Sequence, residues 1–284
     1  MNILVTGSNG QLGSELRSLE KEYPSFKFTF TTKSDLDITD SEKVSKVIKE
    51  KKIEVLINCA AYTAVDKAEN DKAQAMLLNA TAIKNIASAC SKANALLVHI
   101  STDYVFDGRN FKPYTENDTA SPKSIYGKTK LDGEIEVIFN AKRALIFRTS
   151  WLYSSFGKNF VKTIAEKAKT EKELKVVHDQ IGTPTYAADL AKTILDIIPK
   201  VSLKIRTEIY NFSNEGAASW FDFAKAIVDI KQLDCQITPI STKEYPTDAQ
   251  RPFFTLLDKS RIKKDFNIKI PYWKDSLEIC LSKI

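Results

Sequence analysis

The 284-residue sequence predicts an α/β protein built on a doubly wound parallel sheet. Three observations lead to this prediction. Short apolar, β-branched segments alternate with helical segments, a glycine-rich turn joins the first strand to the first helix, and a later apolar strand ends in a polar cluster. Strands separated by helices pair in parallel, because each helix returns the chain to the same end of the sheet.

The first strand is predicted at Asn2–Thr6, which is apolar and rich in β-branched residues. Residues 7–13 follow at once and carry three glycines at a spacing of three, before a helical pattern through Leu16 and Leu19. Such glycines allow a sharp turn and let a pyrophosphate approach the backbone at a helix N-terminus. We therefore predict a dinucleotide-binding loop that uses Gly7, Gly10, Gln11, Leu12 and Gly13.

The rest of the chain continues the alternation of strands and helices. Further strands are predicted at residues 26–31, 55–57, 96–100, 144–148, 174–177 and 208–212. Further helices are predicted at residues 41–51, 73–93, 128–140, 160–170, 189–199 and 220–230. Residues 111–124 are predicted as a loop over the site, and the end of the chain as an irregular tail punctuated by Pro239, Pro246, Pro252 and Pro271.

The strand at 96–100 runs directly into Ser101, Thr102 and Asp103. In an open α/β sheet, ligands bind at the carboxyl ends of the strands. A hydroxyl at this position can hydrogen-bond a substrate oxygen, although Ser, Thr and Asp are also common in capped turns. We predict that Thr102 belongs to an active site.

Tyr126 and Lys130 are four residues apart, which places both side chains on one face of a helix. A phenol has a pKa of about 10 and is a poor acid–base group at neutral pH. A cation beside it favours the phenolate and brings the group toward the working range. This pair is suited to moving a proton onto or off a sugar or alcohol oxygen.

Composition indicates a soluble, cytoplasmic enzyme. Hydrophobic residues make up 43% and charged residues 27% of the chain, and the net charge of +6 comes from scattered lysines, so we expect no nucleic-acid partner. No apolar run is long enough for a membrane span, and Met1 leads directly into a strand without a signal peptide. Four widely spaced cysteines suit reduced thiols. The only histidines, His99 and His178, favour structural roles, which argues against a histidine triad or a metal site.

Longer blocks of sequence carry a resemblance to a known family. They are residues 7–13, 35–40, 58–69, 101–108, 126–134, 148–151, 179–185 and 251–252, of which 61–66 and 102–106 are the most specific. These blocks resemble the extended short-chain dehydrogenase/reductases and, within them, the dTDP-4-dehydrorhamnose reductases. The resemblance implies reduction of the C4 ketone of dTDP-4-dehydro-L-rhamnose, a nucleotide sugar. It also implies a Rossmann domain at 1–150 and about 179–215, with a substrate-binding lobe at about 151–178 and 216–284.

The resemblance also assigns roles to residues. Catalysis falls to Thr102, Tyr126 and Lys130. The cofactor is expected to contact the glycine loop, Asp37, Ile38, Ala60, Ala61, Tyr62, Tyr126 and Lys130. The substrate is expected to contact Val65, Asp66, Thr102, Asp103, Tyr104 and Trp151. Arg251 is either a diphosphate ligand, which its planar fork suits, or an exposed loop arginine.

The cofactor preference depends on the end of the second strand. An NAD-specific site carries an acid about 20 positions past the glycine loop, where this chain has Thr31, Thr32 and Lys33. Lys33 can receive a 2′-phosphate, whereas Asp35 comes slightly later in the sequence. We therefore predict NADPH, with NADH also able to serve.

Three other functions remain open. A 4,6-dehydratase of this fold carries Asp-Glu after the threonine, whereas Tyr104 follows Thr102-Asp103 here. A 4-epimerase shares the tyrosine–lysine pair. A regulatory subunit of methionine adenosyltransferase shares the fold and binds NADP without turnover.

The assembly is a separate question. Some members of the family dimerise through a metal held by acids after the Gly-x-Pro-Thr loop. Asp189 is the only acid at 185–189, and Ala188 supplies no ligand. We predict no bridging metal, and a monomer or weak dimer.

Overall fold

The computed structural model describes residues 1–284. Twelve strands, β1 to β12, lie in chain order at Asn2–Thr6, Lys27–Thr31, Val55–Asn58, Leu96–Thr102, Ala144–Thr149, Leu152–Tyr153, Glu173–Val177, Ile181–Gly182, Thr185–Tyr186, Thr207–Asn211, Ala218–Ser219 and Gln236–Ile240. Eleven α-helices, α1 to α11, lie at Gln11–Ser18, Ser41–Glu50, Val65–Asn70, Lys72–Met76, Ala82–Ala93, Ile125–Asn140, Phe160–Lys167, Ala187–Ile197, Trp220–Ile230, Ser260–Phe266 and Trp273–Leu281. Short 3₁₀ turns occupy Glu20–Glu22, Asp103–Val105, Ile198–Lys200 and Thr242–Glu244.

Six strands form one parallel sheet in the order β10-β5-β4-β3-β1-β2. The chain starts in β1 and winds outward on both sides, so the doubly wound parallel sheet is confirmed. Thr6 is in register with Asn58, and Thr102 with Thr149. The carboxyl ends of β1, β3, β4 and β5 therefore meet along one edge, where a ligand site is expected.

Each face of the sheet is buried under helices. Alternate residues of β1 point to opposite faces. Ile3 and Val5 pack with side chains of α1 and α8, whereas Leu4 packs with those of α2, α5 and α6. None of the helices combines the length and the apolar character that a bilayer crossing demands.

A second hydrophobic core lies outside the sheet. It is formed by side chains of α7, β7, α9, β12 and α11, with Tyr153 and Tyr186. These elements fall mainly in the ranges predicted for the substrate-binding lobe. Helix α10 also lies within those ranges, but its Ile262 and Phe266 pack in the core of the large sheet. The division into two domains stays a prediction.

The C-terminal tail is ordered, so its prediction as irregular is wrong. It contains β12, α10 and α11. The prolines mislead there because Pro239 lies in a two-stranded pair with β7, where a strand edge tolerates a missing N–H.

The predicted helix at 73–93 is interrupted by a π-helical turn at Leu77–Thr81. Asn79 lies in this turn. Its Oδ1 accepts from Tyr62 N at 2.9 Å, and its Nδ2 donates to Tyr62 O at 3.0 Å and to Thr129 Oγ1 at 3.1 Å. The turn thus ties the loop after β3 to α6, as is common for π-turns near functional sites.

Candidate active site

A cavity of about 750 Å³ lies along the carboxyl edge of the sheet. Residues of the sheet form one wall, and residues of the second core, including Phe160, Trp220 and Phe223, form the other. Most of the predicted site residues line this cavity, namely Gly7, Gly10, Gln11, Leu12, Gly13, Lys33, Asp37, Ile38, Ala60, Ala61, Val65, Thr102, Asp103, Tyr104, Tyr126, Lys130, Trp151 and Arg251.

The glycine loop has the shape that an anion site requires. Gly7 has a φ of +63°, and a Cβ on it would lie 2.7 Å from Ala60 N. A Cβ on Gly13 would lie 2.5 Å from the Cα of Ser8, so α1 approaches β1 closely. Gly10 precedes α1, no side chain caps the helix, and its first turn carries no acid. The amides of this turn are available to a pyrophosphate, so the loop fits a dinucleotide.

The carboxylates of the loop after β2 accept hydrogen bonds from residues of the same loop. The Asp35 carboxylate accepts from Thr32 N at 2.9 Å and from Thr32 Oγ1 at 2.7 Å. The Asp37 carboxylate accepts from Thr39 N at 2.9 Å and from Thr39 Oγ1 at 2.8 Å. Lys33 lines the cavity at this end. The arrangement favours a cofactor with a 2′-phosphate over one with a free 2′-hydroxyl.

Two predicted contact residues do not line the cavity. The hydroxyl of Tyr62 donates to Asp71 at 3.2 Å, because Asn79 holds the tyrosine backbone and the ring turns to the surface. Asp66 is drawn to Arg251, whose Nη2 lies 2.6 Å from its carboxylate. The structure therefore does not place Tyr62 and Asp66 on the cavity lining, and their direct contact with ligands stays a prediction.

Tyr126 and Lys130 lie on α6, which begins at Ile125 and not at 128. Ser124 caps the helix by accepting from Gly127 N at 3.1 Å. A Cβ on Gly127 would lie 2.3 Å from Tyr104 O, so the start of α6 packs directly on the segment after β4. The Tyr104 and Tyr126 rings meet edge to face at 5.8 Å between centroids. This packing brings Tyr126 to Thr102 and Asp103.

The electrostatics of Tyr126 differ from the prediction. Burial raises the pKa of the Tyr126 phenol well above its usual value, while the Thr102 hydroxyl opposes the shift and Asp103 adds to it. Lys130 Nζ instead donates to Ile100 O at 2.5 Å. The prediction that Lys130 lowers the pKa of Tyr126 toward neutrality is wrong, because the ammonium is directed to the strand and burial dominates. The shift favours the neutral form of the Tyr126 phenol.

Lys130 is 2% exposed. Burial lowers its pKa to about 8, and the Glu134 carboxylate opposes that shift. Because this pKa lies only about one unit above neutral pH, most but not all of the lysine is protonated there. Its charge depends on the carboxylate one helical turn away.

Asp103 is buried beside the tyrosine. Thr102 Oγ1 donates to Asp103 Oδ1 at 3.0 Å, and Oδ2 has no partner. Burial raises the pKa of Asp103 to about 7. The carboxyl thus changes charge near neutral pH, next to the reacting hydroxyl.

Arg251 bridges the two walls of the cavity. Besides its ion pair with Asp66, its Nη1 donates to the Tyr104 hydroxyl at 3.3 Å. Its side chain is 23% exposed, so the alternative of an exposed loop arginine is wrong. These contacts use two of the five guanidinium N–H donors, and the remaining donors suit a phosphate.

Several cavity residues had no signal in the sequence. Trp220 stacks on Trp151 with centroids 3.7 Å apart, and Trp151 itself has a φ of +46°. Asn159 Nδ2 donates to Gln11 Oε1 at 2.9 Å, which ties the glycine loop to the start of α7. These residues lie far from the motifs in sequence, and only the docking of the second core brings them to the site.

Substitution of Asp103 by Asn tests its buried state. The carboxyl holds its proton in the folded protein up to about pH 7 but releases it near 3.8 when unfolded, so its contribution to stability falls as pH rises through that window. The free energy of unfolding of Asp103→Asn, relative to that of the wild type, should rise by roughly 2–4 kcal/mol from pH 4 to pH 8. Urea unfolding at both pH values measures the change. Asp118→Asn is the control, because the Thr115 amide lowers the pKa of Asp118 below its ordinary value of 3.8, so this variant should show almost no change between the two pH values. A pH-independent difference for Asp103→Asn would contradict the assignment.

Comparisons with known proteins agree with this site. The family model described as RmlD substrate binding domain matches residues 1–284. The dTDP-4-dehydrorhamnose reductase of Aggregatibacter actinomycetemcomitans is 38% identical, with 97% of each chain covered. A crystal structure of the reductase from Clostridium acetobutylicum superposes with a TM-score of 0.95 at 42% identity, with 99% of each chain covered. The reductase from Bacillus anthracis, solved in complex with NADP, has a TM-score of 0.95 at 37% identity, covering 100% of this chain and 99% of that one. The chain belongs to the dTDP-4-dehydrorhamnose reductase family of extended short-chain dehydrogenase/reductases.

Proposed function

We propose that this protein reduces the C4 ketone of dTDP-4-dehydro-L-rhamnose to give dTDP-L-rhamnose, with NADPH as the preferred cofactor. The observation that carries the proposal is the presence of the glycine loop, Thr102 and Tyr126 in one cavity. The family membership supplies the substrate class. A cavity of about 750 Å³ has the size of a site for small molecules.

NADPH, when bound, supplies a hydride to the ketone carbon. The first turn of α1, at Gln11 and Leu12, would hold its pyrophosphate through backbone amides and the helix dipole. Lys33 would bind its 2′-phosphate, and Asp37 and Ile38 would contact its adenine. Ala60 and Ala61, which follow β3, would contact its ribose.

Tyr126 donates the proton to the C4 oxygen. A neutral phenol is the form that can donate, and an alkoxide is a stronger base than a phenolate, so the transfer is favourable once the oxygen gains negative charge. Thr102 lies beside the phenol, and its hydroxyl, which donates to Asp103 Oδ1 in the free protein, would turn to donate a hydrogen bond to the same oxygen. The Lys130 cation, one helical turn away, stabilises the phenolate that is left. Such stabilisation offsets part of the effect of burial on the pKa of Tyr126 and does not bring that pKa to neutrality.

The substrate is held by residues of both walls. Arg251 offers two planar donors to the diphosphate. Trp151 and Val65 contact the sugar, while Asp103 and Tyr104 hydrogen-bond its hydroxyls. Asp66 acts through Arg251, whose guanidinium it orients.

The direct test is to incubate the protein with dTDP-4-dehydro-L-rhamnose and NADPH. Absorbance of the reduced nicotinamide should fall, and NMR should identify dTDP-L-rhamnose as the product. An epimerase would return a 4-keto sugar or its epimer without net oxidation of NADPH, and a binding subunit would show no turnover. Either result would refute the proposal.

Substitution of Tyr126 by Phe should lower kcat by 10²–10⁴-fold, because the proton donor is lost. Binding of NADPH, measured by fluorescence titration, should stay within about twofold, since the phosphates are held by α1. Tyr114→Phe is the matched control, because its hydroxyl bonds Asp107 outside the cavity. Wild-type kcat in Tyr126→Phe would place the donor elsewhere.

Substitution of Lys33 by Glu should shift the preference from NADPH toward NADH, because an acid repels the 2′-phosphate and accepts from a 2′-hydroxyl. The ratio of kcat/KM for the two cofactors should fall at least about tenfold. Lys43→Glu, on α2 and outside the cavity, controls for a change in net charge. An unchanged ratio would show that Lys33 does not reach the ribose.

We also infer a monomer or weak dimer in the cytoplasm, without a bridging metal. Asp189 Oδ2 is taken up by Asn214 Nδ2 at 2.7 Å and Ser276 Oγ at 2.5 Å, which leaves it a poor metal ligand. The four cysteines are all free, which suits a reducing compartment. Light-scattering mass should not change on addition of EDTA or magnesium. A dimer that separates on chelation and reforms with magnesium would refute this inference.

A further inference from the structure

We propose that Glu134 is the positioning residue of this active site: its buried carboxylate joins α6 to the ends of β4 and β5 and supplies the negative charge one helical turn from Lys130. The inference rests on the proposed function for its kinetic consequences. Its geometry stands on contacts that do not involve substrate or cofactor.

Three buried side chains meet at the carboxylate. Glu134 Oε1 accepts from Ser101 Oγ at 2.5 Å. Arg148 forms a fork on the same carboxylate, with Nε 2.9 Å from Oε1 and Nη2 2.6 Å from Oε2. Glu134 is 1%, Ser101 3% and Arg148 4% exposed, so none of these bonds is shared with bulk water.

Each of these residues is adjacent to a part of the catalytic machinery. Ser101 directly precedes Thr102 on β4, and Glu134 lies one helical turn after Lys130 on α6. Arg148 lies on β5 in register with Ser101. The carboxylate therefore fixes the distance between the helix that carries Tyr126 and the strand that carries Thr102. Errors of about 1 Å in such a distance can cost 10²-fold in rate.

Glu134 also provides the negative charge that compensates the buried cations Lys130 and Arg148. The titratable groups that interact electrostatically with Lys130 are Glu134 on its own helix and His99 on β4, and Tyr126 lies one helical turn before it. Tyr126 is neutral, and burial lowers the pKa of His99 well below its usual value, so His99 is neutral as well. Glu134 is the only anion among them. Without it, Lys130 and Arg148 would be two buried cations, and only the lysine can release a proton.

A structural ion pair alone would not explain this arrangement. Arg148 already has a second set of contacts, since Nη1 donates to Glu116 O at 3.4 Å and the guanidinium lies 5.1 Å above the Phe106 ring. Buried ion pairs are in general weak stabilisers, because desolvation offsets the attraction. An ion pair between Glu134 and Arg148 would not need the hydrogen bond from Ser101. This hydrogen bond connects the carboxylate to the residue next to Thr102.

The test is Glu134→Gln, which keeps the shape of the side chain and removes its charge. Two measurements are made. In cofactor-free protein labelled with ¹³Cε-lysine, the pKa of Lys130, assigned with Lys130→Met, should fall by about one unit. In turnover, the alkaline limb of kcat/KM should move to lower pH by a similar amount, because activity needs the cation, and kcat should fall at least about tenfold with the Kd of NADPH unchanged.

Two further variants separate the roles. Glu136→Gln, two residues further on α6 and bonded to Asn140, should change neither the lysine pKa nor the pH profile. Ser101→Ala should lower kcat but leave the pKa of Lys130 and the KM for NADPH unchanged, since it removes the strand contact and keeps the charge. If Glu134→Gln does not fold, the Glu134→Gln/Arg148→Met double variant removes both buried charges and should restore folding with the lowered lysine pKa.

An unchanged pKa of Lys130 in Glu134→Gln, or in the double variant, would overturn the proposal, as would a Ser101→Ala variant with wild-type kcat. A wild-type protein that does not oxidise NADPH with this substrate would instead refute the proposed function, and the lysine titration would still test Glu134.

Discussion

The parallel pairing of β1, β3, β4 and β5 is the constraint on which the site depends. It brings the ends of four strands to one edge and aligns Thr6 with Asn58 and Thr102 with Thr149. The alignment is reinforced by side chains, since Thr6 Oγ1 donates to Asn58 Oδ1 at 2.7 Å. The glycine loop follows β1 and Thr102 ends β4, so both line the same cavity. Helix α6 is then docked against this edge by the Glu134 carboxylate.

Burial determines the chemistry of the groups that meet there. It raises the pKa of Tyr126 and Asp103 and lowers that of Lys130. All three shifts favour the uncharged form, as desolvation does. In the proposed mechanism the tyrosine therefore acts as a neutral acid. The lysine stabilises charge that develops during the reaction, and does not create a phenolate beforehand. Glu134 supplies the negative charge that favours the protonated form of Lys130.

Much of the fold and of the site could be predicted from local sequence. The glycine loop, the Ser101-Thr102-Asp103 strand end and the Tyr126–Lys130 spacing each encode their geometry within a few residues. The orientation of side chains could not be predicted in this way. Tyr62 turns outward because Asn79, 17 residues later, holds its backbone. Asp66 is taken by Arg251, 185 residues away. Trp220 enters the cavity only through the packing of the second core, and the ordered tail depends on the pairing of β12 with β7.

The ionisation state of Tyr126 is the central point of this account, and it can be measured directly. Ultraviolet difference titration of the wild type against Tyr126→Phe isolates the phenolate signal of this one residue. We expect no phenolate from Tyr126 below its ordinary pKa of 10.0, because burial favours the neutral phenol. A phenolate that appears near pH 7 would contradict the account and would restore Lys130 as the group that activates the tyrosine in the resting protein.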